Sequence, residues 1–380
     1  MTVALLAPRF PPACDGVGDH AAWIARALAR NGDLVVVFTD TQAASGPVET
    51  SLVRAWDASS VFLTLCELRK RRVSLLLIEY TPFNFGPRSI APHAIAALSR
   101  LQGIAVGLFL HEGFYGSRSL HRTSPVKAAL LGARDAFIVA ASHATFTASE
   151  SRRANLARAV PPLASRLHVV PIGANVEPPA DRVWRAPARR PYRLVTFGVV
   201  APKRRLETLI EMLGAGMRRR LALELVVIGR IWDATYAERC LALATALGVA
   251  AHIRFTGSLE PDDVTRELMQ GHLAVTALLE GTVSASGSML ALLAHGLPVL
   301  AARTPHDEPA FDGVVAFTSD EPAEMLDRAF EIMRSADGGA ELGLRARARY
   351  ERDFRWDNIA ARAQWLAHRA PSARGPVHAT

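Results

Sequence analysis

Pro178-Pro179-Ala180-Asp181-Arg182-Val183-Trp184-Arg185-Ala186-Pro187-Ala188-Arg189-Arg190-Pro191 interrupts an otherwise regular alternation of short aliphatic runs and amphipathic segments. Prolines interspersed with arginines continue neither a helix nor a central strand, so this stretch reads as a linker between two halves. Before it, strands are expected at residues 3–6, 34–38, 74–78, 104–110, 137–140 and 167–170, with helices clearest at 19–30 and 144–158. After it the alternation restarts, with strands expected at 193–197, 223–228, 252–255, 273–277 and 298–301. The aliphatic runs are continuous, which means burial on both faces and a parallel sheet covered by helices. Two doubly wound α/β halves follow. In such sheets ligands bind outside the carboxyl ends of the strands, so polar residues directly after a strand become site candidates.

Composition agrees with this and narrows the function. A chain of 380 residues suggests two or three domains, and 50% hydrophobic with 21% charged residues excludes disorder for most of it. Three cysteines lie far apart, which argues against a disulfide framework or a zinc site. The apolar run 3–7 is shorter than the roughly 7–15 residues of a signal-peptide core, and 95–110, the nearest approach to a spanning helix, carries Arg100. The expected location is the cytoplasm. The net charge of +8 invites a phosphate, nucleic-acid or anionic-membrane partner. No recognised motif accompanies it toward nucleic acid, so that partner is not expected.

Several groups stand at expected strand ends. Gly16 and Gly18, with Ala21, fit a dinucleotide fingerprint in letters, but nine residues separate Leu6 from Gly16, whereas that fingerprint follows its strand at once. A glycine turn that starts a helix, or a loop that lets a ligand approach backbone N–H groups, are the readings left open. His111 and Glu112 follow the strand 104–110, and Glu79 and Tyr80 follow 74–78, so both pairs are expected at one crevice. Gly198 is followed by Lys203, Arg204 and Arg205, cations suited to a diphosphate. The runs 69–72 and 218–220 end helices and precede strands, which puts them on the opposite rim as solvated charge. Glu280 and Gly281, with Ser284, Ser286, Gly287 and Ser288, join a strand to a helix N-terminus. Its free N–H groups suit phosphate, and the serines suit either capping or that ligand.

Together these pieces resemble the retaining GT-B glycosyltransferases of family 4. The glycine loop 11–19, Val169-Val170-Pro171-Ile172-Gly173-Ala174-Asn175, Phe197-Gly198 through Lys203, Phe255-Thr256-Gly257, Glu280-Gly281 and Ala294-His295-Gly296-Leu297-Pro298-Val299 occur in the family's order. The resemblance implies two Rossmann-like domains facing a cleft: 1–180 for the acceptor and 193–355 for the nucleotide-sugar donor, with 181–192 as linker. It also implies a helix at 356–370 crossing back to the first domain, ahead of a flexible tail at 371–380. By position, His111 would meet the transferred sugar, Glu280 would hold donor hydroxyls, and Lys203, aided by Arg204 or Arg205, would neutralise the leaving diphosphate. Gly16, Gly18, Gly198, Gly257, Gly281, Ser284, Ser286, Gly287 and Ser288 would line the donor; Asp19, Glu79, Tyr80 and Glu112 would lie toward the acceptor. No metal or other cofactor is implied, and the donor base, UDP or GDP, stays open.

Two positions depart from the family pattern. Val199 and Val200 stand where an Arg follows the first Gly, and the second Glu is missing: counting from Glu280 gives Ser288, whereas counting back from Gly296 gives Ala291. The expected activity is retaining sugar transfer to a glycan or lipid-linked acceptor in surface polysaccharide or glycolipid synthesis, with peripheral contact to an anionic inner membrane face. The alternatives are a nucleotide-sugar epimerase on the same plan and a non-catalytic, transferase-like binding subunit.

Overall fold

The computed structural model describes residues 1–369 except 14–15, 43–47, 83, 87–88, 113–123, 180, 189 and 283. The expected tail 371–380 and part of the glycine loop, Cys14 and Asp15, lie outside the described residues. The chain divides into two units, one of Met1–Ile172 together with the stretch from Trp356, the other of Gly173–Arg355. The division falls ahead of the segment expected as linker. That segment is part of the second unit, where the buried indole of Trp184 donates to the Gly271 carbonyl at 2.9 Å.

In the first unit the order is β1 (Thr2–Leu6), α1 (Gly16–Arg30), β2 (Leu34–Thr39), β3 (Glu49–Leu52), α2 (Ala58–Lys70), β4 (Leu75–Tyr80), α3 (Ala91–Leu101), β5 (Ala105–Leu110), α4 (Pro125–Ala141), β6 (Ala144–Thr147), α5 (Glu150–Ala159) and β7 (Leu167–Val169). All pairings are parallel, in the order β3-β2-β1-β4-β5-β6-β7. Alternation along β4 shows how the faces are built. Leu76, Ile78 and Tyr80 join the core beneath α2, α3 and α4, while Leu75 and Leu77 join the core with α1. Asp57 starts α2 through a capping box with Ser60, each side chain accepting from the other's backbone N–H.

The expected strand 137–140 is instead the end of α4, where Ile138 and Val139 face the core. The strand of that repeat is β6, four buried residues within the stretch expected as helix. Ser149 then caps α5 by accepting from Arg152 N.

The second unit repeats the plan with β8 (Tyr192–Phe197), α6 (Leu206–Arg218), β9 (Leu223–Ile228), α7 (Ala234–Ala246), β10 (Ile253–Phe255), α8 (Pro261–Met269), β11 (Leu273–Thr276), α9 (Gly287–Ala294), β12 (Val299–Ala302), β13 (Ala316–Thr318), α10 (Pro322–Arg334) and α11 (Ala340–Asp353). Its sheet, β10-β9-β8-β11-β12-β13, is also parallel throughout. Both sheets have the Rossmann order, whose direction reverses beside the first strand. A last helix, α12 (Trp356–Arg369), belongs to the first unit and lies along α1. Trp356 stacks on Trp23 with ring centroids 5.9 Å apart, and Arg30 holds Asp357 at 2.6 Å. No described helix is long and apolar enough to cross a membrane.

Burial at the end of α9 has a measurable consequence. His295 is fully enclosed, its Nδ1–H donating to the Ala291 carbonyl at 2.7 Å and its Nε2 accepting from Thr265. Burial pushes this imidazole down from 6.5 to about 4. Between those values the unfolded chain takes up the proton more readily than the folded one, so stability is full above pH 6.5 and falls toward pH 4. One such group contributes a slope of about 1.4 kcal/mol per pH unit. Denaturant unfolding of the wild type and of His295→Gln at pH 7, 6 and 5 should show that slope reduced in the variant. Equal slopes would remove His295 as its source.

Candidate active site

Each unit gathers polar side chains at the carboxyl ends of its strands. In the first, His111 follows β5 and Glu79 is the penultimate residue of β4. Glu79 has no exposed surface. Its Oε2 lies 2.5 Å from His111 Nε2 and 3.0 Å from His20 Nδ1, and His20 comes from the first turns of α1. Burial alone raises the Glu79 carboxyl, but the facing His20 and the bonds from His111 and His20 bring it down to about 2. Burial pushes the His111 imidazole down, against the pull of Glu79. Arg152, near the start of α5, donates to the His111 carbonyl at 2.6 Å.

Glu79 and Tyr80, expected side by side at one crevice, point to opposite faces of the sheet. The Tyr80 hydroxyl donates to Asp135 at 3.0 Å, both residues being fully buried. Neither presents a surface to an acceptor. Glu112 is exposed directly after His111. Gly16, Gly18 and Asp19 form the first turn of α1 rather than a loop ahead of it. Gly18 has a steric reason to be glycine, since a Cβ there would lie 2.9 Å from the Arg9 carbonyl oxygen, whereas Gly16 has open space.

His20, Glu79 and His111 offer two ring nitrogens and a carboxylate oxygen within 4.8 Å of one another, a donor set of the kind that holds metal ions. Ligand atoms around one tetrahedral zinc stand about 3.3 Å apart, given bonds of about 2.0–2.1 Å. The 2.5 Å contact between Glu79 and His111 is a hydrogen bond, and the cluster is closed on itself.

In the second unit the backbone turns sharply after β8. Gly198 has φ +133°, and a Cβ on it would meet the Arg204 guanidinium at 2.2 Å, so this side chain lies flat against the glycine. Arg204 Nη2 donates to Ser288 Oγ at 2.7 Å and Nη1 to the Phe197 carbonyl at 3.3 Å, while its buried Nε has no partner among the described residues. Burial pushes its pKa down, and Glu280 opposes that. Lys203, expected to carry the diphosphate, is exposed, and Arg205 pairs with Asp320 at 2.8 Å. The cation lodged at the strand end is therefore Arg204.

The stretch after β11 is tied to the loop after β12. Thr282 N donates to Asp307 Oδ1 at 2.5 Å and Ser284 N to Glu308 Oε2 at 3.2 Å. Gly281, at φ +74°, leaves room for Thr304 and the backbone of His306 and Asp307. Ser286 caps α9 by accepting from Met289 N, and Ser288 in its first turn holds Arg204. The carbonyl of Gly287 accepts from Asn175 N at 3.3 Å, so the motif 169–175 ends against this helix start. Glu280 is exposed beside these groups. Gly257 follows β10 at φ +69° and bridges Gly229, which in turn packs on Gly198.

His20, Arg152, Asp307 and Glu308 were not anticipated. His20 offered one signal, an imidazole directly ahead of the apolar stripe of Ala21, Ala22, Ile24 and Ala25.

No family model matches the chain. Among curated proteins it is similar to a GDP-mannose-dependent alpha-(1-6)-phosphatidylinositol monomannoside mannosyltransferase of Mycobacterium tuberculosis, with 26% identity over 233 residues. That match takes in 57% of this chain and spans 59% of the curated relative's length. Among solved structures it is similar to a glycosyltransferase from Rickettsia africae (TM-score 0.70, 10% identity, 98% of this chain and 99% of that one). Anabaena Alr3699/HepE, solved with UDP and glucose, gives TM-score 0.66 at 12% identity, over 97% and 99% of the chains. WaaG, a glycosyltransferase involved in lipopolysaccharide biosynthesis, gives 0.64 at 15%, over 96% and 99%. The fold is GT-B. At these identities the likeness is one of architecture, and function has to be argued from the site.

Proposed function

We propose that this chain is a retaining glycosyltransferase that moves a sugar from a nucleotide diphosphate sugar to a glycan or lipid-linked acceptor. One observation carries the reading: a half-buried guanidinium lodged on Gly198 at the end of β8 and bonded to Ser288 in the first turn of α9. A fixed fork of N–H donors beside a helix N-terminus suits the charge that develops on a departing diphosphate. Glu280, exposed next to it, would hold donor hydroxyls, and His111 in the first unit would meet the transferred sugar. The departures from the family pattern have a physical counterpart here. Ser288, the position given for the second Glu by counting from Glu280, accepts a hydrogen bond at its hydroxyl from Arg204.

The named relatives guide the choice of substrates. GDP-mannose and UDP-glucose are to be offered with phosphatidylinositol mannosides and short glycans, following released nucleoside diphosphate and product anomers by NMR. The expected result is turnover of at least one donor with its anomeric configuration kept. Conversion of the donor sugar without an acceptor would instead indicate an epimerase, and absence of both binding and hydrolysis a non-catalytic subunit.

A further inference from the structure

The carboxylate of Glu79 sits between two imidazoles, with His111 Nε2 at 2.5 Å from Oε2 and His20 Nδ1 at 3.0 Å from Oε2 and 3.2 Å from Oε1. His20 is boxed edge-on by three rings, Phe109 at 4.9 Å, His111 at 4.7 Å and Trp356 at 5.2 Å between centroids. Glu79 is shut off from water, whereas 18% of the His111 side chain stays accessible. An ionised carboxylate only accepts hydrogen bonds, so both ring nitrogens facing it carry hydrogen. A neutral His111 with its proton on Nε2 then keeps its lone pair on Nδ1. Arg152 fixes the same residue from the backbone side, at its carbonyl.

We propose that Glu79, steadied by His20, is a positioning residue that pins the His111 ring with Nε2–H turned inward and presents Nδ1 as an acceptor to a hydroxyl of the transferred sugar. The proposal rests on the reading that His111 meets that sugar. It also accounts for an acidic residue at a fully enclosed strand position, where a carboxylate without donors would be costly. In Glu79→Gln the amide turns an NH2 group toward one of the two rings. When that NH2 group takes the Oε2 position, which faces both rings, His111 must rotate or move its proton to Nδ1.

Two measurements test this. In protein labelled with 15N-histidine, with His111→Gln used to assign the signal, wild-type His111 is expected as the Nε2–H tautomer, and that state is expected to be lost in Glu79→Gln. In steady-state assays Glu79→Gln is expected to lower kcat roughly 10–100-fold, by analogy with the loss of hydrogen-bond partners of metal-ligating histidines. Donor KM should stay within about threefold, and His20→Gln should give a smaller change in the same direction. A wild-type His111 protonated on Nδ1, or a folded Glu79→Gln with unchanged kcat, overturns the proposal. If the wild type turns over no donor, the functional reading fails, but the tautomer measurement still decides the role of Glu79.

Discussion

Arg204→Met is expected to reduce kcat/KM for the nucleotide-sugar donor by about 10²–10³-fold, the usual effect of removing one donor aimed at developing charge. Lys203→Ala should leave it within about threefold. The contrast follows from placement. The Arg204 guanidinium is fixed between Gly198, the Phe197 carbonyl and Ser288, whereas Lys203 is exposed. A cation that is already oriented loses little freedom when the ligand arrives; a solvated ammonium loses more and is better screened. Arg204→Lys should fall in between, since it restores a point charge without the fork. Calorimetric titration with UDP and GDP separates binding from turnover, and a thermal melt confirms that each variant is folded. If Lys203→Ala lowers affinity as far as Arg204→Met, the phosphate assignment returns to the exposed side chain.

The second large effect is on stability. Gly229→Ala is expected to destabilise the second unit by about 4 kcal/mol or more, in the range reserved for strain at special backbone positions. Gly229 follows β9 at φ +138°, and a Cβ there would stand 2.1 Å from the carbonyl oxygen of Gly198. The obstacle is backbone, itself held by a hydrogen bond from Gly198 N to the Ile228 carbonyl at 2.9 Å. It cannot step aside as the end of a flexible side chain would. A unit of this size loses about 2–4 °C per kcal/mol, so the midpoint should drop by roughly 10 °C. Gly16→Ala, with open space around it, serves as the control and should change stability by no more than about 0.5 kcal/mol. A Gly229→Ala variant with the wild-type midpoint would show that the strand ends have room to move.

Much of this architecture is legible in the residues, and the exceptions have physical causes. Central strands such as β4 and β9 announce themselves because burial on both faces demands an unbroken aliphatic run. The edge strands β3 and β13, half covered, carry no such run and escape notice. Residues 137–140 mislead for the opposite reason, since a helix with a wide apolar face contains short stretches that match a strand. The rule of strand ends puts His111 directly after β5 and Gly198 directly after β8, where the structure has them. It is silent on which side chain reaches which. The partners of Glu79 and Arg204 lie 32, 59 and 84 residues away, and only packing brings them together. The proposal of Arg204 in place of Lys203 rests on which of two adjacent cations lies against Gly198 and Ser288.

The helix α12 also sets an order of events at the ribosome. The first unit is discontinuous in the chain, and its core includes Trp356, Ile359, Ala360 and Ala363 of that helix, packed with Ile24, Leu28 and the residues around them. Until those residues emerge, the face formed by α1 lacks its cover. The second unit is contiguous and available as a whole before them. At about 5–20 residues per second, synthesis of residues 173–355 separates the two parts of the first unit by roughly 10–40 s. The half translated first is thus the half completed last, and during that interval the α1 face around Trp23 lacks the Trp356 ring that covers it.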